Sequence, residues 1–317
     1  MSLHLVAPKI RLTSYRFMSD PHTERAARRF LVVVNPIAGR RRQKFLRHTL
    51  EKLRHAGISL QVVETEAAGD AERIARDAAH GESPPDALVA AGGDGTINEM
   101  VNGIAGSPLP LGIIPMGTAN VLANELGIGR WSGPVSAVLI GGAVQPVHLG
   151  DIDGRRFLMM AGIGYDARTV ARVDKEIKYR WGKLAYGVAG LMEWLDGPRE
   201  SFHAVVDGRS YEAAWVIVSK SRCYAGSYVI APRASLAAPS LQVCLMPGRS
   251  RCALARYLMA IGRSRLDREK DVHIIEAREI LIPDAPHAQV EIDGDFHGEG
   301  PVRISLADET LNLIQPA

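Results

Sequence analysis

The chain has 317 residues, 46% of them hydrophobic and 23% charged, with a formal net charge of +3 at pH 7. That length accommodates two ordinary domains, and the composition is globular rather than disordered. So small a net charge gives no argument for a nucleic-acid partner, and no apolar run approaches the ~20 residues that span a bilayer.

Residues 1–28 mix His, Arg, Ser and Pro without a continuous apolar segment. They read as an N-terminal extension with no signal-peptide pattern. The run 30–34 is a central strand ending at Asn35-Pro36. Phe45, Leu46, Leu50 and Leu53 then recur at helical spacing, and Gly57 closes that helix. A second strand covers 58–64; Ala71, Ile74, Ala75 and Ala78 mark a helix; 86–91 is a third strand and 96–104 its helix. A fourth strand at 111–115 precedes a helix over about 118–126. This alternation predicts an open, mostly parallel α/β domain over 29–145, with ligands bound beyond the carboxyl ends of its strands.

After residue 145 the pattern changes. Strands are expected at 144–149, 157–160, 202–206, 214–218, 241–245, 272–282, 289–292 and 302–306, mostly joined by turns. They predict a largely antiparallel β domain over 146–310. Helical stretches at 167–195 and 254–261 interrupt it, and 311–314 adds a final strand to either domain, so the segment 311–317 can return to the first. Cys223, Cys244 and Cys252 have no metal-ligand spacing, and their odd, sparse count fits a reduced, cytosolic compartment.

The stretch Gly92-Gly93-Asp94-Gly95-Thr96-Ile97-Asn98-Glu99 joins the third strand to its helix. Its first residues have almost no side-chain bulk, so a polyphosphate can approach the backbone and meet the N–H groups opening the helix. Asp94 is the odd member, because anion binding alone would exclude a carboxylate. Beside phosphates, a carboxylate suits a metal ion or the proton of an acceptor hydroxyl. The combination points to phosphoryl transfer.

The first strand ends in Asn35-Pro36-Ile37-Ala38-Gly39-Arg40, where Pro36 sets the exit direction, Ala38 and Gly39 permit close approach and Arg40 brings a cation to the rim. The fourth ends in Pro115-Met116-Gly117-Thr118-Ala119-Asn120, where Thr118 and Asn120 can bond phosphate or ribose oxygens, or cap their own helix. A tight turn explains one such loop; three at neighbouring strand ends call for a ligand. Near the C-terminus, Asp293-Gly294-Asp295 carries two carboxylates across a glycine. It reads as a hairpin turn, or as a general base and a magnesium ligand, with either carboxylate able to take either part.

In this order, the segments 35–40, 92–99, 115–120 and 293–295 resemble the diacylglycerol kinase catalytic-domain family, in its bacterial lipid kinase branch. That family also includes sphingosine and ceramide kinases. Ala161-Gly162-Ile163-Gly164-Tyr165-Asp166, Gly182-Lys183-Leu184-Ala185-Tyr186 and Ala231-Pro232-Arg233-Ala234 extend the resemblance to the end of the chain. It implies a nucleotide-binding α/β domain like that of NAD kinase and phosphofructokinase, with a β-sandwich second domain. ATP and its Mg2+ would bind between the two, and a membrane lipid hydroxyl (diacylglycerol, sphingoid base, ceramide or a related lipid) would receive the γ-phosphoryl group. By the same resemblance, Asn35, Pro36, Ile37, Ala38, Gly39, Thr65, Gly93 through Glu99 and Thr118 would contact ATP, with Asp94 reaching the magnesium through ATP; Arg40, Gly92, Gly117 and Asn120, read from the same loops, complete the expected ATP site. Asp295 stands where the family usually has a glutamate regarded as the proton acceptor.

Two departures matter. Ala238 and Val121 stand where many relatives carry aspartates, the first helping to hold a structural magnesium, which argues against such a metal here. On the lipid side, Lys175, Lys178, Arg180 and Lys183 lie among Tyr179, Trp181, Tyr186, Met192 and Trp194. That mixture suits peripheral contact with an anionic inner membrane face, or the solvated basic face of an ordinary helix. Oligomeric state stays open, a homodimer included. The competing readings are a NAD kinase-like enzyme, which shares Gly-Gly-Asp-Gly-Thr, and a nucleotide-binding regulator that has lost catalysis.

Overall fold

Strands rich in apolar residues, each followed by a helix, build the first half of the chain. The computed structural model describes residues 28–38, 42–172, 201–285 and 288–317. Strands β1 (Arg29–Val34), β2 (Ser59–Glu64), β3 (Ala87–Gly92) and β4 (Leu111–Pro115) are parallel and lie in the order β2-β1-β3-β4. β3 and β4 are buried along their whole length, as strands covered on both faces must be.

The covering helices are α1 (Gln43–His55), α2 (Asp70–His80), α3 (Asp94–Ile104), the short α4 (Val121–Glu125) and α5 (Ser132–Gly141). Leu46, Leu50 and Leu53 form the buried stripe of α1, which packs on α5. α2 buries only Ala71 and Ala75, so it lies close on α3. A Cβ on Gly103 of α3 would stand 2.5 Å from the Glu72 carbonyl oxygen and 2.9 Å from the Ala75 side chain.

The second half begins with β5 (Ala143–Ile152), β6 (Arg155–Phe157), β7 (Met160–Gly164) and α6 (Tyr165–Arg172). It resumes with β8 (Phe202–Val206), β9 (Arg209–Ala213), β10 (Trp215–Ser219) and the small ladder of β11 (Cys223–Tyr224) with β12 (Tyr228–Val229). There follow β13 (Leu241–Met246), α7 (Arg251–Gly262), β14 (His273–Ala277), β15 (Glu279–Ile282), β16 (Gln289–Ile292), β17 (Asp295–Glu299) and β18 (Val302–Gln315). β14-β13-β10-β7-β16-β17 form an antiparallel sheet. It packs against the β18-β15-β8 side of the larger sheet through a second apolar core that includes Phe157, Ile163, Val216, Val243, Ile280 and Ile304. The fold is thus the expected α/β unit with a β-sandwich second part.

Both parts share one sheet, because β18 pairs antiparallel with β15 and β5 and parallel with β4 at Leu313 and Leu111. The segments expected at 302–306 and 311–314 are one strand, with a register shift between Leu306 and Thr310. The expected strand over 272–282 is two strands in different sheets. The Asp207 carboxylate accepts the N–H groups of Arg278 and Glu279 and draws the chain across the sandwich at that point. The expected strand over 157–160 is instead a turn at Leu158 and Met159 between β6 and β7. Most of the stretch 167–195, with its cationic and aromatic residues, lies outside the described residues, as does the segment 182–186.

Gly103→Ala forces α2 and α3 apart and should cost about 1–3 kcal/mol of stability, read by urea unfolding.

Candidate active site

The strand order reverses between β1 and β3, the switch point at which open α/β sheets bind ligands beyond their carboxyl ends. Three loops meet there. The Asn35 amide donates to Thr96 Oγ1 at 3.1 Å, while its Oδ1 accepts the N–H groups of Ile37 and Ala38. This ties the β1 loop to the first turn of α3. A Cβ on Gly92 would lie 2.5 Å from Thr96 Oγ1, and one on Gly117 would lie 2.7 Å from the Cα of Gly93. The β3 and β4 loops therefore touch backbone to backbone, and only glycine at both places lets the floor of the cleft form. Gly93 opens α3 with no side-chain cap, which leaves the first N–H groups of the helix available to an anion.

The remaining residues expected at the nucleotide divide into two groups. Pro36 is half-buried, Ile37 and Thr118 are exposed, and half-buried Thr65 donates its N–H to the Val34 carbonyl at the end of β1. Asn120, in the left-handed region at φ 49°, donates its amide to the Gly117 carbonyl and so shapes its own loop. Ile97 is core, and Glu99 accepts the Ala71 N–H at the start of α2. Gly39 and Arg40 lie outside the described residues. Arg42, which the motif reading passed over, reaches the β4 loop by donating to the Pro115 carbonyl and to that of Arg130.

The three carboxylates have three different environments. Asp293 is buried, and its oxygens accept four hydrogen bonds. Oδ1 takes the N–H groups of Met159 and Met160, and Oδ2 takes that of Leu158 and the amide of Asn98 at 2.8 Å. Burial is the largest influence on its pKa and raises it, against the donors. Asp293 and Gly294 both have positive φ, 50° and 87°, as a two-residue hairpin turn between β16 and β17 requires. Asn98 also donates to the Arg156 carbonyl and accepts from Arg155, which pairs with Glu72. Asn98 thus faces the second part of the molecule, away from the glycine loops.

Asp295, the next carboxylate of the hairpin, is exposed and lies against the first turn of α3. A Cβ on Gly95 would stand 2.6 Å from its Oδ2. Asp94 is only partly exposed, and the N–H groups of Asn120, Val121 and Leu122 at the start of α4 face it. Its Oδ1 is enclosed without a hydrogen-bond partner. Burial pushes its pKa up to about 6, with the nearby Asp293 adding to the rise and those N–H groups opposing it.

Behind the hairpin lies a pair that spacing could not reveal, because its members come from α6 and β16. The carboxyl groups of Asp166 and Glu291 face each other over Gly162, where a Cβ would be 2.8 and 2.7 Å from their oxygens. Tyr224 donates to Asp166 at 2.6 Å, and Glu291 accepts the Gly294 N–H at 2.7 Å. Burial raises both carboxyls, Asp166 to about 6 and Glu291 well above its ordinary range.

Chemically, the cleft offers a glycine-floored anion cradle, an exposed carboxylate at its rim and an under-coordinated carboxylate beside it. Among the described residues no ready-made cluster of three or more His, Cys, Asp or Glu side chains could hold a metal alone. A cation delivered with a phosphate ligand does fit Asp94, whose enclosed oxygen lacks a partner.

An open α/β domain carrying this cleft, completed by a β-sandwich, defines the class of fold, and comparison with known proteins narrows it. Residues 29–152 match the model of the diacylglycerol kinase catalytic domain, and residues 160–315 match that of the YegS C-terminal NAD kinase beta sandwich-like domain. A diacylglycerol kinase of Bacillus subtilis (strain 168) is 32% identical over 301 residues, which are 91% of this chain and 97% of that protein. A diacylglycerol kinase of Staphylococcus epidermidis is 28% identical over 297 residues, 91% of this chain and 92% of its own. The crystal structure of a diacylglycerol kinase from Bacillus anthracis str. Sterne superposes with a TM-score of 0.72 at 26% identity, covering 90% of this chain and 96% of that one. The chain belongs to the diacylglycerol kinase catalytic-domain family, and kinase is the class of activity that this membership supports.

Asp293→Ala strands three backbone N–H groups in the interior and should cost at least ~3 kcal/mol in denaturant unfolding. For Asp94 the folded pKa of about 6 exceeds the ordinary 3.8, so the folded state holds its proton more tightly than the unfolded chain. Stability is therefore lost as pH rises through that window. Asp94→Asn should melt above the parent at pH 7, with the advantage fading as pH falls from about 6 toward 3.8, followed by thermal unfolding across pH.

Proposed function

We propose that the chain is an ATP-dependent lipid kinase that transfers the γ-phosphoryl group to the hydroxyl of a membrane lipid: diacylglycerol, a sphingoid base, ceramide or a related lipid. The observation that carries this reading is the meeting of Asp295 with Gly95. It brings a carboxylate of the second half to the opening turn of α3, beside the anion cradle of the first. Such a carboxylate can take the proton of an acceptor hydroxyl while that oxygen attacks the γ-phosphorus and the bond to the β-phosphate oxygen breaks, releasing ADP. Asp293 has both oxygens committed to structural donors, so the base role goes to Asp295.

The protein's part in phosphoryl transfer is mostly positioning and electrostatics. The glycine loops and the first N–H groups of α3 hold the phosphates in line with the acceptor oxygen. Magnesium carried in with ATP would be held by Asp94 and would offset the charge on the phosphates. The lipid is met at a membrane surface, and the cationic and aromatic residues of the sequence between 175 and 194 suit that peripheral contact. No helix among the described residues is long and apolar enough to cross a membrane.

Incubation with labelled ATP, magnesium and vesicles bearing each candidate lipid tests the proposal. Label should appear on one of these lipids. Label on NAD, or ATP binding with no transfer to any acceptor, would overturn it. Asp295→Asn should lower kcat by roughly 10²–10⁴-fold while nucleotide affinity stays near the parent value. Near-normal turnover in that variant would remove Asp295 as the base.

A further inference from the structure

Lys220, immediately after β10, is fully buried. Its ammonium donates to two backbone carbonyls of the loop before β13, those of Ala238 at 2.5 Å and Ser240 at 2.9 Å. A buried charge is expensive unless its hydrogen-bonding capacity is met. Here two carbonyl oxygens rather than a carboxylate take two of its three N–H donors. Pro239 sits between the two, so both carbonyls flank a residue that donates no N–H of its own. This is oxygen-only chemistry of the kind that otherwise surrounds a hard metal cation. It occurs at the loop where the family resemblance implies a structural magnesium. The residues present do not fit that metal, because Ala238 offers no carboxylate and the Lys220 ammonium already takes the carbonyls of Ala238 and Ser240. Burial lowers the Lys220 pKa to about 8, which leaves the group charged at pH 7.

We infer that the Lys220 ammonium is a built-in structural cation, doing for the 231–240 loop what a bound divalent ion would do and making this part of the fold independent of metal. The loop it fixes lies on the scaffold of the candidate site. The Leu236 carbonyl accepts the His148 N–H from β5, and the N–H groups of Lys220 and Ser221 both donate to the Met159 carbonyl. The Met159 N–H in turn donates to Asp293. The residue that carries the cation therefore also fastens, through its own backbone N–H, the short turn on which the hairpin of Asp293 and Asp295 is hung.

The test uses the full chain without nucleotide and reads stability and metal content, so its outcome is separate from that of the kinase proposal. After dialysis, elemental analysis should find well under one equivalent of divalent metal, and the melting temperature should be the same in EDTA, magnesium and calcium. Lys220→Met keeps the apolar stem and removes the charge; it should lower the melting temperature by ~5 °C or more, and failure to fold counts in the same direction. One equivalent of tightly held divalent metal in the parent protein, a melting temperature that falls on chelation, or a Lys220→Met variant as stable as the parent would each overturn the inference.

Discussion

The carboxylate of Asp293 is the interaction on which the cleft depends. It gathers three consecutive backbone N–H groups of the β6–β7 turn and the amide of Asn98 from α3, so three segments far apart in sequence share one anion. Hydrogen bonds to an ionised acceptor are stronger than neutral ones, and burial raises the cost of leaving any of them unmade. The result is a hairpin whose tip has little freedom relative to α3. Asp295, two residues on, inherits that precision.

Two acidic residues separated by one glycine thus have unlike parts. Asp293 is spent on construction and stays inside, whereas Asp295 stands at the surface of the cleft. Asp94 is intermediate, shielded enough for its pKa to rise to about 6 yet short of a partner for one oxygen. A carboxylate shifted by burial in a cleft is a common mark of a functional position. The buried Asp166 and Glu291 pair props the same turn from behind through the Gly294 N–H.

Much of this was legible in the sequence, for identifiable reasons. Strands such as Ala87–Gly92 are buried on both faces and read as unbroken apolar runs, and the three glycine loops mark their carboxyl ends. What sequence spacing could not supply was direction. Asn98 lies within the motif of the phosphate loop, but on a helix it points elsewhere and serves the junction with β6. Asp207 splits the run 272–282 by a contact across about seventy residues, beyond the reach of any local pattern. Lys220, Glu291 and Tyr224 carry no motif; their roles exist only once α6, β10 and β16 are assembled.

The shared strand β18 has a mechanical consequence. Because one continuous segment is laddered to β4 on one side and to β15 within the sandwich, the two halves cannot swing apart as rigid bodies without tearing main-chain hydrogen bonds. The same strand carries Val302 and Ile304 into the sandwich core and Leu311 and Leu313 into the core of the first part, so a change that frays β18 is felt on both sides of the cleft.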